Sequence, residues 1–152
     1  MPFLVKDTLV QMQTYLARSG YVDEVLVGEP KSPPSSQGLT AALFLSNVGI
    51  GQITAGGQTV ESHVVMLRIY RNMLKEPTEQ IEYELAEAVS NISDDLLGDF
   101  DLGARIRHID AGGIYGTPFT VRWGYVEVSG TMFRIADLTV PLVVDGSATL
   151  VQ

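Results

Sequence analysis

Residues 62–73, SHVVMLRIYRNM, and the acidic stretch that follows at 76–101, EPTEQIEYELAEAVSNISDDLLGDFD, decide the fold of this chain. In 62–73 the side chains alternate between two faces, and both faces are apolar. One face carries His63, Val65, Leu67 and Ile69, and the other carries Val64, Met66 and Tyr70. A strand that is apolar on both faces must be covered from both sides, so this segment predicts a central strand of a sheet.

The stretch 76–101 predicts an amphipathic helix that holds the negative charge of the chain. It contains nine acidic residues and no Lys or Arg, whereas the remainder of the chain holds 9 acidic against 10 basic residues. Pro77 suits the first helical turn and Gly98 a C-terminal stop. The predicted apolar stripe is Ile81, Leu85, Ala88, Val89, Ile92 and Leu96. On the remaining faces Glu79, Glu82, Glu84 and Glu87 predict a charged surface without a catalytic role.

The segments before residue 62 predict one helix and two strands. Residues 3–18 place Val5, Leu9, Met12 and Leu16 at helical spacing. Residues 21–27 and 39–45 predict the strands of a wide hairpin around an extended Pro- and Ser-rich loop at 29–38.

Two glycine-rich segments predict surfaces for partners. Residues 46–60 indicate a mobile loop or a projecting hairpin with Ile50 and Ile53 as exposed apolar tips. Residues 111–118 indicate a second loop, which carries Ile114 and Tyr115. Disordered connections are the alternative interpretation of both segments.

The C-terminal third predicts three strands. These are 104–110 and a hairpin formed by 119–128 and 131–144. A change of apolar phase at Ala136–Asp137 predicts a β-bulge, and Pro141 predicts an edge position or an N–H that needs no partner. Residues 146–152 predict a loose tail.

The fold class is therefore α+β: a mostly antiparallel sheet of about five to six strands with two main helices packed on it, in a single domain spanning 1–152. The charged fraction of 18% against 45% apolar residues favours an oligomer. No window is apolar enough to span a membrane, and the first residues lack the pattern of a secretory signal.

Motifs for chemistry are not found. Cysteine is absent, and His63 and His108 occupy ordinary strand positions, so no metal site is expected. No phosphate loop, hydrolase triad or basic stripe for nucleic acid is present, and we expect no catalytic residue and no cofactor.

Three stretches carry a resemblance to a known family. They are LRIYRNMLKEPTEQIE (67–82), GDFDLGARIRHIDAGGIYGTP (98–118) and GYVEVSGTMFRIADLTVPLVVD (124–145). Together with the order of the elements, they resemble the tail terminator proteins of long-tailed, non-contractile bacteriophages (siphoviruses), particularly those of phages that infect actinobacteria. The resemblance covers most of residues 60–145 and is carried by structural motifs.

The resemblance implies a virion structural protein that is made in the host cytoplasm and located at the tail and neck. Such a protein forms a ring, usually a homohexamer, that caps the tail tube, ends its polymerisation and joins the tail to the head-completion or neck protein. DNA would pass through the ring without sequence-specific binding. The resemblance implies no reaction and no cofactor.

Other functions remain open at this point. Within the same assembly the alternatives are another neck ring, such as a head-completion or connector protein, or a tail-tube subunit. A small enzyme using carboxylates of 76–101 would need a desolvated acidic pair in a pocket. A soluble binding module would be a stable monomer.

Overall fold

The computed structural model describes residues 5–35, 37–53, 57–74, 77–98 and 108–149, with the backbone alone at 51–53, 58, 108 and 145–149. The elements in chain order are α1 (Val5–Ser19), β1 (Glu24–Val27), β2 (Thr40–Ile53), β3 (Gln58–Asn72), α2 (Thr78–Leu97), β4 (His108–Ile109), β5 (Thr120–Val128) and β6 (Thr131–Thr149). The described chain is an α+β fold with six strands and two helices, as the sequence predicts.

The strands form one sheet in the order β1-β2-β3-β6, and both β4 and β5 pair with the far side of β6. Among the described strands, only β1 and β2 pair in parallel. The prediction that 62–73 is central is confirmed, because β3 lies between β2 and β6.

Both helices pack on one face of the sheet and form the larger core. All six residues of the stripe predicted on α2 are buried, and α1 buries Met12 and Leu16. Beneath them lie Ala41, Leu43, Val65, Leu67, Ile69, Ala136, Leu138, Val140, Leu142 and Val144. His63 also lies on this face, where its Nδ1 is hydrogen-bonded to Thr8 Oγ1 of α1 at 2.9 Å. This histidine is a buried structural contact between strand and helix.

The opposite face has a smaller core, which the loop 28–39 helps to cover. Tyr70 and Phe133 meet edge to face with ring centroids 5.8 Å apart, and both side chains are buried. Ser129, in the turn between β5 and β6, donates a hydrogen bond to the carbonyl of Lys31 at 3.4 Å, and Pro34 is buried. Because α1 and α2 occupy the other face, the loop reaches Ser129 across the face that the helices leave open.

The wide hairpin predicted for 21–27 and 39–45 is wrong. β1 and β2 are parallel, in a register that sets Val25 opposite Ala41. A parallel pair needs a crossover of about a dozen residues. The Pro- and Ser-rich loop is that crossover.

The loop predicted at 46–60 is also wrong, and the alternative of a hairpin is correct. β2 continues to Ile53 and β3 begins at Gln58, with irregular register near Leu45 and Ile50. The predicted loose tail is likewise strand as far as Thr149, whose Cα partner is Gln58. The pairing of β6 with β3 therefore turns the hairpin into a three-stranded projection. Residues 150–152 and the side chain of Ile53 lie outside the description.

No β-bulge occurs at Ala136–Asp137, since the register between β3 and β6 is continuous from Phe133 to Asp145. The change of apolar phase instead marks a change of covered face, from Phe133 and Ile135 on the smaller core to Leu138 and beyond on the larger one. The carbonyl of Pro141 accepts a bond from the Asp110 amide at 2.9 Å, so its ring nitrogen faces the gap between β4 and β5. The second alternative for Pro141 is therefore the correct one.

Gly38 supplies a conformation that the crossover needs. Its φ is 71°, and a Cβ there would overlap the Asp23 carboxylate, which accepts the Leu39 amide at 2.8 Å. We expect Gly38→Ala to lower the free energy of unfolding by about 2 kcal/mol, because it combines left-handed backbone strain with loss of this hydrogen bond. Denaturant unfolding of the variant and the parent protein measures this difference in unfolding free energy. Gly49→Ala, where nothing lies within 4 Å, is the control and should change stability by less than about 0.5 kcal/mol.

The two helices are joined by a phenol–carboxylate hydrogen bond. Tyr15 Oη donates to Asp95 Oδ2 at 2.7 Å. Burial, and then the bond to Asp95, raise the pKa of Tyr15 well above its ordinary value.

This raised pKa predicts a loss of stability at high pH. The unfolded tyrosine ionises above about pH 10 while the folded one keeps its proton, so its contribution is complete below that pH and falls as the pH rises further. Tyr15→Phe should lower the unfolding free energy by about 1 kcal/mol at neutral pH and make the decline above pH 10 shallower. Chemical unfolding between pH 7 and 11 measures both effects. An equally steep decline in the variant would contradict this assignment.

Candidate interaction surfaces

The four glutamates predicted as one charged surface divide into two pairs. Glu84 Oε2 lies 2.8 Å from Nε of Arg71, whose side chain is only 6% exposed and also donates to the Gly38 carbonyl at 3.1 Å. Glu82 Oε1 accepts a hydrogen bond of 2.7 Å from Nε of Arg134 on β6. Both carboxylates reach toward the sheet but stay partly exposed, with 42% of the Glu82 side chain and 32% of the Glu84 side chain accessible, so these two surface glutamates also act as partners of arginines. Each glutamate lies beside an arginine on the helix-covered face of the sheet. A cation that is largely removed from water needs a nearby negative charge, which the glutamate supplies.

Glu79 and Glu87 are exposed on α2, as predicted. Glu79 accepts a hydrogen bond from the phenol of Tyr83 at 2.8 Å, which raises the pKa of that phenol. The outward charge of the helix therefore comes from Glu79 and Glu87, together with the exposed Asp94. Asp99 and Asp101 lie outside the described residues.

Aromatic side chains lie on β5 where the helices leave the sheet uncovered. Trp123 and Tyr125 are 42% and 59% exposed. The Arg134 guanidinium lies over both rings, 4.5 Å from the centroid of Tyr125 and 5.9 Å from that of Trp123. Since Arg134 is also fixed by Glu82, the two rings are held in place. The period-two pattern of β5 places these aromatics on one face, but the sequence did not indicate that the helices, which cover this face elsewhere, would not extend over β5.

The three-stranded projection exposes a second apolar strip on β2. Val48 and Ile50 are 42% and 59% exposed, and their partners on β3 are His63 and Glu61, on the helix-covered face. The exposure expected for Ile50 is present. That of Ile53 lies outside the description.

The turn at 110–118 is built by one buried carboxylate. Asp110 is 1% exposed, and its two side-chain oxygens accept the amides of Ile114 and Tyr115, each at 2.9 Å. Gly113 has φ 74° and packs against Pro118, so a Cβ would collide there. This ordered turn presents Ile114, which is 81% exposed, whereas Tyr115 is half-buried. Of the two side chains predicted here, Ile114 is the more exposed.

A cleft of about 420 Å³ lies between α2 and the end of the crossover at Gly38, and its walls include Asp23, Arg71, Glu84 and Glu87. Asp23 and Glu84 already hold partners within the protein, the Leu39 amide and Arg71. A carboxylate acid–base pair needs two acids facing one substrate, one of them desolvated. The described part of the chain contains no cluster of three or more His, Asp or Glu residues arranged to hold a metal ion. The side chain of His108 is not described.

Comparisons with known proteins do not identify a family for this chain. No protein-family model matches the chain, and no curated protein matches it. Among solved structures, the chain aligns with the PVC sheath/tube terminator of an extracellular contractile injection system in its extended state, with a TM-score of 0.38 and 14% sequence identity. That match covers 100% of this chain and 62% of the other. At this level the similarity carries no functional argument. Neither described helix is long and apolar enough to cross a membrane.

The division of the glutamates predicts two different outcomes for one substitution. Glu84→Gln removes the negative charge that lies 2.8 Å from Nε of the buried Arg71 and should lower the unfolding free energy by about 2 kcal/mol. Glu87→Gln, on the same helix but exposed, should change it by less than about 0.5 kcal/mol. Thermal and denaturant unfolding of the two variants provide the comparison, and equal effects would contradict a structural role for Glu84.

Proposed function

We propose that this chain is a structural tail protein: the ring that caps a phage tail tube, ends its polymerisation and joins the tail to the neck. The ring is a homo-oligomer, taken as a hexamer from the resemblance. Its partners are the tube protein on one face and a head-completion or neck protein on the other, in the virion.

The observation that carries this proposal is that a single copy leaves apolar side chains exposed at two edges of its sheet. Exposed apolar side chains lie at one edge on β2 (Val48, Ile50) and near the other on β5 (Trp123, Tyr125). A ring subunit needs such contacts on two sides. Ile114 is a third exposed apolar side chain, and Asp110 holds its turn in place by accepting the Ile114 amide. Its exposure favours a contact with a partner along the ring axis.

The charge of the described surface supports passage of DNA without binding. Glu79, Glu87 and Asp94 are exposed on α2, whereas Arg71 and Arg134 are engaged by glutamates. A surface that repels phosphates does not hold a DNA backbone. The resemblance of 67–82, 98–118 and 124–145 favours a terminator over a connector or a tube subunit. The engaged carboxylates in the cleft weigh against an enzyme.

The proposal predicts that the pure protein forms closed rings that stop growth of tubes when added to polymerising tube protein. Mass photometry and negative-stain images measure the rings, and the distribution of tube lengths measures termination. Self-assembly of the pure protein into long tubes would favour a tube subunit instead, and a stable monomer that leaves tube lengths unchanged would overturn the proposal.

Substitution of Ile114 tests the axial contact. Ile114→Glu should leave ring formation unchanged but weaken capping at least tenfold, because it places a charge in an apolar contact. Leu74→Glu is the matched control, since Leu74 is 84% exposed and Ile114 is 81% exposed. Equal capping by both variants would remove Ile114 from the axial surface.

A further inference from the structure

Apart from the outer edges of the short strands β1 and β4, two long stretches of strand edge are open in the described chain. β1 pairs with β2 only from Thr40 to Leu43, and no described strand lies beside β2 from Leu45 to Ile53. At the far side, β5 pairs with β6 alone, so none of the described strands covers its outer edge from Thr120 to Val128. An open edge presents unpaired backbone groups that can add a strand from another chain.

The register identifies which residues of β2 direct their backbone groups outward. The Leu43 carbonyl points toward β1, where it accepts the Gly28 amide at 2.6 Å. Backbone direction alternates along an antiparallel ladder. After the irregularity that follows Leu45, Val48 is opposite His63 and Ile50 is opposite Glu61. By the same alternation, the N–H and C=O of Val48 and Ile50 point away from β3. Their exposed side chains lie on the helix-covered face.

The same reasoning applies to β5. The carbonyl of Pro141 points to the β4 and β5 side of β6, so every second residue of β6 counted back from Pro141, including Asp137 and Ile135, directs its backbone groups to β5. Trp123 and Tyr125 are opposite Ala136 and Arg134, which point the other way, toward β3. The backbone groups of Trp123 and Tyr125 therefore face outward, with their side chains on the helix-covered face.

The direction of the two edges is suited to copies in the same orientation. β2, β3, β6 and β5 are neighbours in that order and each pair is antiparallel, so β2 and β5 run in opposite directions. When an identical copy is placed beside the first by rotation, β5 of one copy meets β2 of the next in an antiparallel pair. The contact is heterologous and repeats around a ring.

We propose that the subunits of this protein join edge to edge, with β5 of one copy pairing antiparallel to the Leu45–Ile53 part of β2 in a second copy. This inference rests on the proposed ring. The pairing sets Ile50 opposite Trp123 and Val48 opposite Tyr125, all on one face of a continuous sheet. It buries four exposed apolar side chains, two of them aromatic, and removes both open edges. It also desolvates the contact of Arg134 with Tyr125, which strengthens it.

β1 determines the offset between neighbouring copies. It occupies β2 from Thr40 to Leu43, and β5 lies level with that same part of β2 through β6 and β3. A neighbour can therefore pair only beyond Leu43, shifted along the strands. Such a stagger tilts the strands relative to the ring axis, as closure of a sheet requires.

The chain contains no cysteine, so an engineered pair reports this contact without background. Directly opposite residues of an antiparallel pair lie about 5.5 Å apart at Cα, within reach of a disulfide. The double variant Ile50→Cys, Trp123→Cys should form a covalent ladder of oligomers on mild oxidation, resolved on a denaturing gel. Ile50→Cys with Leu97→Cys, whose second position is exposed on α2, is the matched control and should give no ladder.

Each outcome bears on one proposal or the other. Rings that form without a ladder would overturn this edge pairing and leave the proposed function standing, whereas a protein that forms no ring and does not end tube growth would overturn the function itself. Dimers formed by Ile50→Cys alone would show a two-fold contact and overturn the head-to-tail pairing.

A second variant separates backbone pairing from side-chain contact. Ile50→Pro removes an outward N–H without removing a bond to β3, and proline is tolerated at such edge positions. It should raise the dissociation constant of the ring at least tenfold with an unchanged monomer melting temperature, whereas Ile50→Thr, which keeps the N–H, should have a smaller effect. An equal or larger effect of Ile50→Thr would overturn the backbone pairing.

Discussion

The burial of β3 and β6 on both faces is the constraint on which the rest of the structure depends. Val65, Leu67 and Leu138 face the helices, whereas Tyr70 and Phe133 face the opposite side. A single layer of helices can cover only one of these faces. The crossover loop covers part of the other face, where Pro34 is buried and the Lys31 carbonyl accepts a hydrogen bond from Ser129, although most of the described loop residues are exposed. The parallel pairing of β1 with β2 follows from that route.

Burial of two arginines beneath α2 explains two of the nine acidic residues in 76–101. Arg71 and Arg134 lie on the helix-covered face, and a cation removed from water must be paired and hydrogen-bonded there. α2 supplies Glu84 and Glu82 for this purpose, on the two sides of its apolar stripe. Glu79, Glu87 and Asp94 carry negative charge on the outward side of the described helix. The acidic residues of α2 therefore have two roles. Glu82 and Glu84 pair with arginines of the sheet, and the others form a negatively charged surface.

The elements were predictable where the residues specify both a period and a boundary. α2 was predicted with its complete apolar stripe, because a 3.6-residue repeat between Pro77 and Gly98 has one interpretation. The hairpin of β5 and β6 was predictable for a similar reason, because Ser129 and Gly130 stand between two strand patterns. In the structure both residues have positive φ, as a type I′ turn requires. The segment 46–60 was misjudged because glycine-rich strands carry little periodic signal, and β6 supplies their partner from far along the chain. The candidate surface was predictable only in part. Ile50 and Ile114 were identified as exposed, whereas Trp123 and Tyr125 were recognised as strand residues and not as a surface.

The sequence by itself determined the α+β class, the central position of β3, the buried stripe of α2 and the concentration of acidic residues on one helix. These properties follow from local periodicity and composition. The tertiary structure alone decided that β1 and β2 are parallel, which glutamates meet arginines, and which strand edges remain open. Each of these depends on where a distant segment is placed, since a pairing partner is set by the packing of the whole sheet and leaves no signal in the local pattern of residues.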